Sequence, residues 1–182
     1  RSRKTQYFFI KSIYTKMKKL LLLALFLVTT FGYSQSAEDF FDQGMKKSNA
    51  GNSKGSIADF TKAINKKANF AEAYLNRGLA KLSANDLTGA LADVNKTLEL
   101  NPEMAYAYTT RANISYKLND YKAVIADCTK SLTINPQDYI SYNLRGLAYN
   151  RLKDTKNACN DFSSAIKLGS QSAAKNKKMF CK

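Results

Sequence analysis

The amino-acid sequence predicts an all-α solenoid of four helix–turn–helix units closed by a C-terminal capping helix. Three observations carry that expectation. The segment "AYLNRGLAKLSANDLTGALADVNKTLELNP" (73–102) recurs 34 residues later as "AYTTRANISYKLNDYKAVIADCTKSLTINP" (107–136), and a fixed period of about 20 to 50 residues is the signature of stacked repeats. Within each copy the apolar residues fall at helical spacing and are interrupted once by a polar break. The only two prolines, Pro102 and Pro136, stand one period apart, each just after the second apolar stretch.

Residues 1–34 are unlike the rest, with seven basic residues and no acidic one. Met17-Lys18-Lys19 forms a short positive start, Leu20 to Val28 an apolar segment, and Gly32 and Ser34 the small residues that precede a cleavage point. This is the pattern of a cleavable export signal, with Met17 as initiator, residues 1–16 upstream of it, and cleavage before Gln35 or, alternatively, before Ala37. The apolar run of about 12 residues is well short of the ~20 that a spanning helix needs, so no stable membrane anchor is expected after cleavage. No cysteine follows the run, so a bacterial lipid anchor is not supported. Residues 35–182 keep 22 basic and 14 acidic residues, a net charge of +8, expected to be lysines solvating helix faces, with an acidic partner or an anionic surface as the alternative.

Stepping by the period places four units at 37–70, 71–104, 105–138 and 139–172. In the second, Tyr74, Leu75, Gly78, Leu79 and Leu82 mark a first helix, "SAND" breaks it, and Leu87, Ala90, Leu91, Val94 and Leu98 mark a second. Asp86, Asp120 and Asp154 stand where a side-chain oxygen would cap the second helix of their units, and the prolines prevent its continuation. Residues 173–182 read as a capping helix over the apolar side of the last unit, which an open solenoid requires. Gly44, Gly78 and Gly146 recur in the first helices, with Ala112 in the remaining copy. A helical glycine costs about 1 kcal/mol relative to alanine, and the expected return is close approach to the small residue of the second helix: Ser56, Ala90, Val124 or Ala158.

The pattern resembles the tetratricopeptide repeat. The early aromatic is Phe40, Tyr74, Tyr108 and Tyr142. The small residues are the glycine column and Ser56, Ala90, Val124 and Ala158, followed by Phe60, Val94, Cys128 and Phe162 and then Ala63, Thr97, Ser131 and Ala165. Departures are Val124, Thr97, Cys128 and the missing prolines at Ala68 and Ser170. The resemblance implies a right-handed solenoid that binds a protein or peptide in a concave groove lined by the first helices, and the signal pattern adds the expectation that it is exported to a bacterial periplasm or beyond. The groove positions it implies are Phe41, Met45, Leu75, Leu79, Tyr106, Thr109, Asn113, Tyr116, Asn143, Leu147, Asn150 and Arg151, with Ile140 also turned outward. Family members that hold chaperone tails use spaced Lys, Asn and Arg there. Phe41, Met45, Thr109 and Leu144 occupy the corresponding positions, which disfavours that ligand. The alternative is a structural subunit or assembly factor of a cell-envelope complex, using convex or terminal surfaces.

Enzymatic chemistry is not expected. Histidine is absent, which removes Ser-His-Asp and Cys-His nucleophiles and every histidine-ligated metal. No Gly-rich phosphate loop or metal-ligand cluster is present, so no cofactor or metal is expected, and lysines without interleaved exposed aromatics do not suggest nucleic acid. Arg77, Arg111 and Arg145 and the aspartates Asp59, Asp93, Asp127 and Asp161 recur with the period. They read as a structural ion-pair ladder in which Asp93 meets either Arg77 or Arg111. Of the three cysteines, Cys128 replaces a core aromatic and reads as a buried thiol. Cys159 and Cys181 form the candidate disulfide, and the alternative is two reduced thiols.

Overall fold

A computed structural model describes residues 13–20 and 35–181. The chain divides into two units, residues 1–35 and residues 36–182. In the first, residues 13–20 form an exposed helix (α1); most of the apolar segment expected of an export signal, and its cleavage point, lie outside the described residues. No described helix is long and apolar enough to cross a membrane.

The second unit contains α2 (Ala37–Asn49), α3 (Ser53–Lys66), α4 (Ala71–Ser83), α5 (Leu87–Leu100), α6 (Ala105–Lys117), α7 (Tyr121–Ile134), α8 (Tyr139–Arg151), α9 (Thr155–Lys167) and α10 (Gln171–Phe180). Most helix starts have a side-chain cap, those of α4 and α6 being the exceptions. Ser36 makes a reciprocal capping box with Asp39 at the start of α2, satisfying two orphan backbone donors. Asn52, Asp86, Asp120 and Asp154 each accept from the backbone N–H three residues on, at 2.9–3.1 Å. Just before these caps, Gly51, Asn85, Asn119 and Lys153 adopt φ of 74°, 63°, 62° and 64°. That left-handed residue turns the chain between the helices of each pair. Glycine and asparagine tolerate it, and lysine does so at a cost. At the joints after the second and third pairs, Asn101 and Asn135 accept from the N–H two residues ahead across Pro102 and Pro136, so an asparagine turn and a proline together end α5 and α7.

The helices pair as α2–α3, α4–α5, α6–α7 and α8–α9, and each pair packs on the next. Among the described residues the first helices α2, α4, α6, α8 and α10 also touch one another in succession, whereas the second helices do not. The stack therefore curves with the first helices inside. The glycines that enable pairing face something other than the small residue alone. An added Cβ on Gly44 would stand 2.6 Å from the Phe60 ring, and on Gly146 2.7 Å from Phe162. On Gly78 it would meet Val94 at 3.2 Å and the Ala90 carbonyl at 3.3 Å. The ring sixteen residues on needs the space, and in the third pair Ala112 goes with the small Cys128 in the same core cluster.

The charged columns resolve into a ladder. Arg77 donates from Nε and Nη2 to both Asp93 oxygens at 2.9 and 2.7 Å, Arg111 to Asp127 at 2.8 and 2.7 Å, and Arg145 to Asp161 at 2.8 and 2.9 Å. Each arginine thus pairs within its own repeat. The remaining Nη1 reaches the preceding repeat, at Thr61, Asn95 and Thr129 respectively, at 2.9–3.1 Å. Each guanidinium also lies 5.4–5.7 Å from the ring of Tyr74, Tyr108 or Tyr142. The bonds to Asp127 and Asp161 hold Arg111 and Arg145 above their ordinary pKa. The first repeat has Gln43 in this column, and its buried Asp59 takes Lys47 and Lys62 instead.

Candidate functional site

On the inner face, α4, α6 and α8 enclose a cleft of about 310 Å³ lined by Leu79, Tyr106, Thr109, Thr110, Asn113, Ile140, Asn143 and Leu144. Its position follows from a change in four equivalent residues at successive repeat junctions. Between the first and second repeats they are Phe41, Ala63, Phe70 and Ala73, and all but the half-buried Phe41 are buried in one apolar cluster. Between the second and third they are Leu75, Thr97, Met104 and Ala107, still mostly apolar. Between the third and fourth they are Thr109, Ser131, Asp138 and Ser141. There the Thr109 hydroxyl lies 2.9 Å from Ser131, 2.8 Å from Ser141 and 2.9 Å from the Asp138 carboxylate, which also accepts from Ser141 at 2.7 Å. The buried polar groups satisfy one another, as they must. Because the short Thr109 side chain turns into that cluster, the space a Phe or Leu would fill stays open.

The walls are mixed. Tyr106 and Ile140 are 54% and 47% exposed, large side chains open to solvent. Asn113 is exposed, and its carboxamide carries no hydrogen bond among the described residues. The Asn143 carbonyl oxygen accepts from Asn176 of α10 at 2.9 Å, leaving its amide N–H groups for a ligand. Such a wall combines apolar side chains with carboxamide groups able to hydrogen-bond. No group of metal-ligating side chains occurs among the described residues.

Of the residues expected to line the groove, Leu79, Tyr106, Thr109, Asn113 and Asn143 converge on the cleft. Leu75 does not: it is 6% exposed in the core, packed in the same cluster as Met104. Phe41 sits 5.6 Å from the Phe60 ring and 5.0 Å from Phe70, so it fills a repeat junction. Leu147 packs on the last core cluster. Met45 and Asn150 are half-buried outside the cleft. Tyr116 meets Tyr121 edge-on at 5.5 Å and accepts from exposed Arg151 at 3.3 Å, beyond the cleft. Leu144, at a position where chaperone-tail binders carry a polar or basic residue, also lines it, as does Thr110, which the repeat pattern did not place in the groove. The signal that could have found the cleft is the column Phe41, Leu75, Thr109 and Asn143, which turns polar in the last two copies.

Away from the cleft, Cys159 and Cys181 are joined by a disulfide with Cα atoms 5.8 Å apart, fastening α9 to the end of α10. Cys128 is a buried free thiol, and burial pushes its pKa up to about 12, which makes it inert.

Comparison with known proteins agrees with this architecture. The family model described as tetratricopeptide repeat matches residues 105–138 and 139–170. No curated protein matches the chain. Among solved structures, MamA superposes with a TM-score of 0.70 at 22% identity, covering 76% of this chain and 81% of that one; one MamA structure is from Desulfovibrio magneticus RS-1. The Arabidopsis OM64 TPR domain gives 0.60 at 26% identity over 60% of this chain and 93% of that one. The first TPR of Spaghetti (RPAP3), solved bound to the HSP90 peptide SRMEEVD, gives 0.64 at 22% identity over 66% and 95%.

Proposed function

From the premise that this chain is a tetratricopeptide repeat protein, built on a fold that serves as a protein-binding scaffold, we propose that its cleft holds an extended segment of a partner protein. One bulky apolar side chain of that segment sits among Leu79, Tyr106, Ile140 and Leu144, and its backbone is held by the Asn113 and Asn143 carboxamides. The observation that carries this reading is the opening above Thr109, at the one repeat junction whose four residues are all polar. A structural neighbour solved with a bound peptide supports the idea that such a fold accepts an extended chain.

The test closes the cleft without disturbing the stack. Thr109→Leu, Ser131→Thr, Asp138→Met and Ser141→Ala together install the residues of the preceding junction, so the variant keeps its fold by the precedent of Leu75, Thr97, Met104 and Ala107. A photo-crosslinking side chain at Asn113 captures the partner in cells from the parent protein, and the fourfold variant loses that capture. Equal capture by both, or stronger capture from an outer-face position such as Lys122, would refute cleft binding and favour the envelope-subunit reading.

The protein is further read as exported. Residues 17–34 have the pattern of a cleaved signal, and a disulfide fits an oxidising compartment. N-terminal sequencing of the protein recovered from cells is expected to begin at Gln35 or Ala37; a start upstream of Leu20 would refute export by cleavage.

A further inference from the structure

We infer that the C-terminal end of the solenoid, formed by α9 and α10, is a second docking surface whose partner is an acidic protein segment. The first observation is how charge is distributed. Residues 35–138 carry thirteen basic and twelve acidic residues, whereas residues 139–182 carry nine basic and two acidic. Nearly the whole net charge of the repeat domain therefore lies on its last repeat and cap.

The second observation is that this charge is uncompensated. Both carboxylates in the region are already engaged, Asp161 by Arg145 and Asp154 in capping α9. In the first three repeats six lysines have an acidic partner, among them Lys67 with Glu38 and Lys96 with Glu99. Among the described residues Lys153, Lys156, Lys167, Lys175, Lys177 and Lys178 have none, and all but the half-buried Lys177 are exposed. α9 and α10 are held together by the disulfide and by the Phe162–Phe180 stack at 6.3 Å, so the lysines of the two helices stay on one fixed unit. A surface of this kind is relieved by a partner that brings the opposite charge.

The chemistry of the surface selects among polyanions. A helix that lies in a membrane interface needs a free apolar face. In α10, Ala173 is buried, Phe180 is stacked on Phe162, and the one large apolar side chain that projects is Met179, 64% exposed. Single-stranded nucleic acid is held by aromatic platforms, and the two aromatic rings of α9 and α10 are spent on each other. Carboxylates on a polypeptide need neither feature. The surface also adjoins the cleft, because Asn176 of α10 donates to Asn143 in the cleft wall. The inference stands on the charge distribution and holds whether or not the cleft is occupied.

The test uses the full oxidised chain and a fluorescein-labelled peptide of alternating glutamate and serine. Lys175→Glu with Lys178→Glu is expected to weaken peptide binding about tenfold or more. Lys54→Glu with Lys122→Glu, the same charge change on exposed lysines of the first and third repeats, leaves it within about twofold. Tyr106→Ala with Ile140→Ala also leaves it unchanged. If the control reversal weakens binding as much, attraction is diffuse and the surface is not a site. If the Tyr106 and Ile140 variant loses the peptide, the acidic segment belongs to the cleft. Tighter binding of phosphatidylglycerol vesicles or an oligothymidine than of the peptide would also overturn the inference.

Discussion

Replacing Gly146 with alanine tests why glycine recurs in the first helices. In an open helix this change gains about 1 kcal/mol. Here the new Cβ would stand 2.7 Å from Cε1 of Phe162 and 3.2 Å from the Ala158 carbonyl oxygen. Phe162 is fully buried and stacked on Phe180, so its ring has no room to swing aside. Overpacking of that kind costs about 1–3 kcal/mol, so Gly146→Ala should lose roughly 0–2 kcal/mol where propensity alone predicts a gain. The third repeat, where Ala112 goes with Cys128, suggests the partner change. Phe162→Ala alone opens a cavity and costs about 3–5 kcal/mol; alanine is used because it adds no thiol beside the disulfide. In that background Gly146→Ala should become stabilising, a coupling of about 1–3 kcal/mol across the cycle. Urea unfolding of the four proteins, with midpoints compared at constant slope, reads this directly. A gain of about 1 kcal/mol from Gly146→Ala with Phe162 in place would refute the reasoning. Gly78→Ala, whose neighbours begin at 3.2 Å, should lie nearer neutral.

Lys153 holds φ of 64° where the equivalent residues are Gly51, Asn85 and Asn119. Lys153→Gly should therefore raise stability by about 0.5–1 kcal/mol, and an unchanged urea midpoint would count against strain there. Cys181→Ser removes a link between residues 22 apart. It should cost up to about 3 kcal/mol, appearing as faster amide exchange confined to α9 and α10; uniform acceleration along the solenoid would contradict a local tether. Burial pushes the Asp59 carboxyl up, but the Lys47 and Lys62 ammonium groups outweigh it and hold the group below its ordinary value of 3.8. Its contribution is then complete above the unfolded pKa and fades as pH falls below about 4 towards the native value. Asp59→Asn should flatten that part of the stability curve, and an identical acid profile would show that Asp59 does not contribute.

The architecture was legible because it is written four times. A lone helical glycine or a lone proline says little, but Gly44, Gly78 and Gly146, Pro102 and Pro136, and the aspartate caps all keep one register, and each has a local physical cause. What the register could not tell was which of two neighbours a side chain chooses. Asp93 lies sixteen residues after Arg77 and eighteen before Arg111, and both reaches are open to a helix pair. Only the packed structure shows that Nε and Nη2 stay within the repeat while Nη1 crosses to the one before. The glycine contact was half-read for the same reason: Ala158 and Phe162 lie one turn apart on the same face of α9, and the larger group fills the gap.

The cleft was legible only in part, for a different reason. Repeat position says which way a side chain points but not whether the junction behind it is full. Phe41 and Leu75 point as Thr109 and Asn143 do, yet the first two pack beside Phe70 and Met104 and complete a core. At the third junction Asp138 stands where those apolar residues stood, and Thr109 folds back onto it. The cleft is therefore a property of four residues from two repeats taken together, and it exists where an apolar junction is replaced by a self-satisfied polar one. Reading each column down the copies, rather than each copy along the chain, is what locates it: a column that changes character once marks the place where the repeat departs from mere stacking.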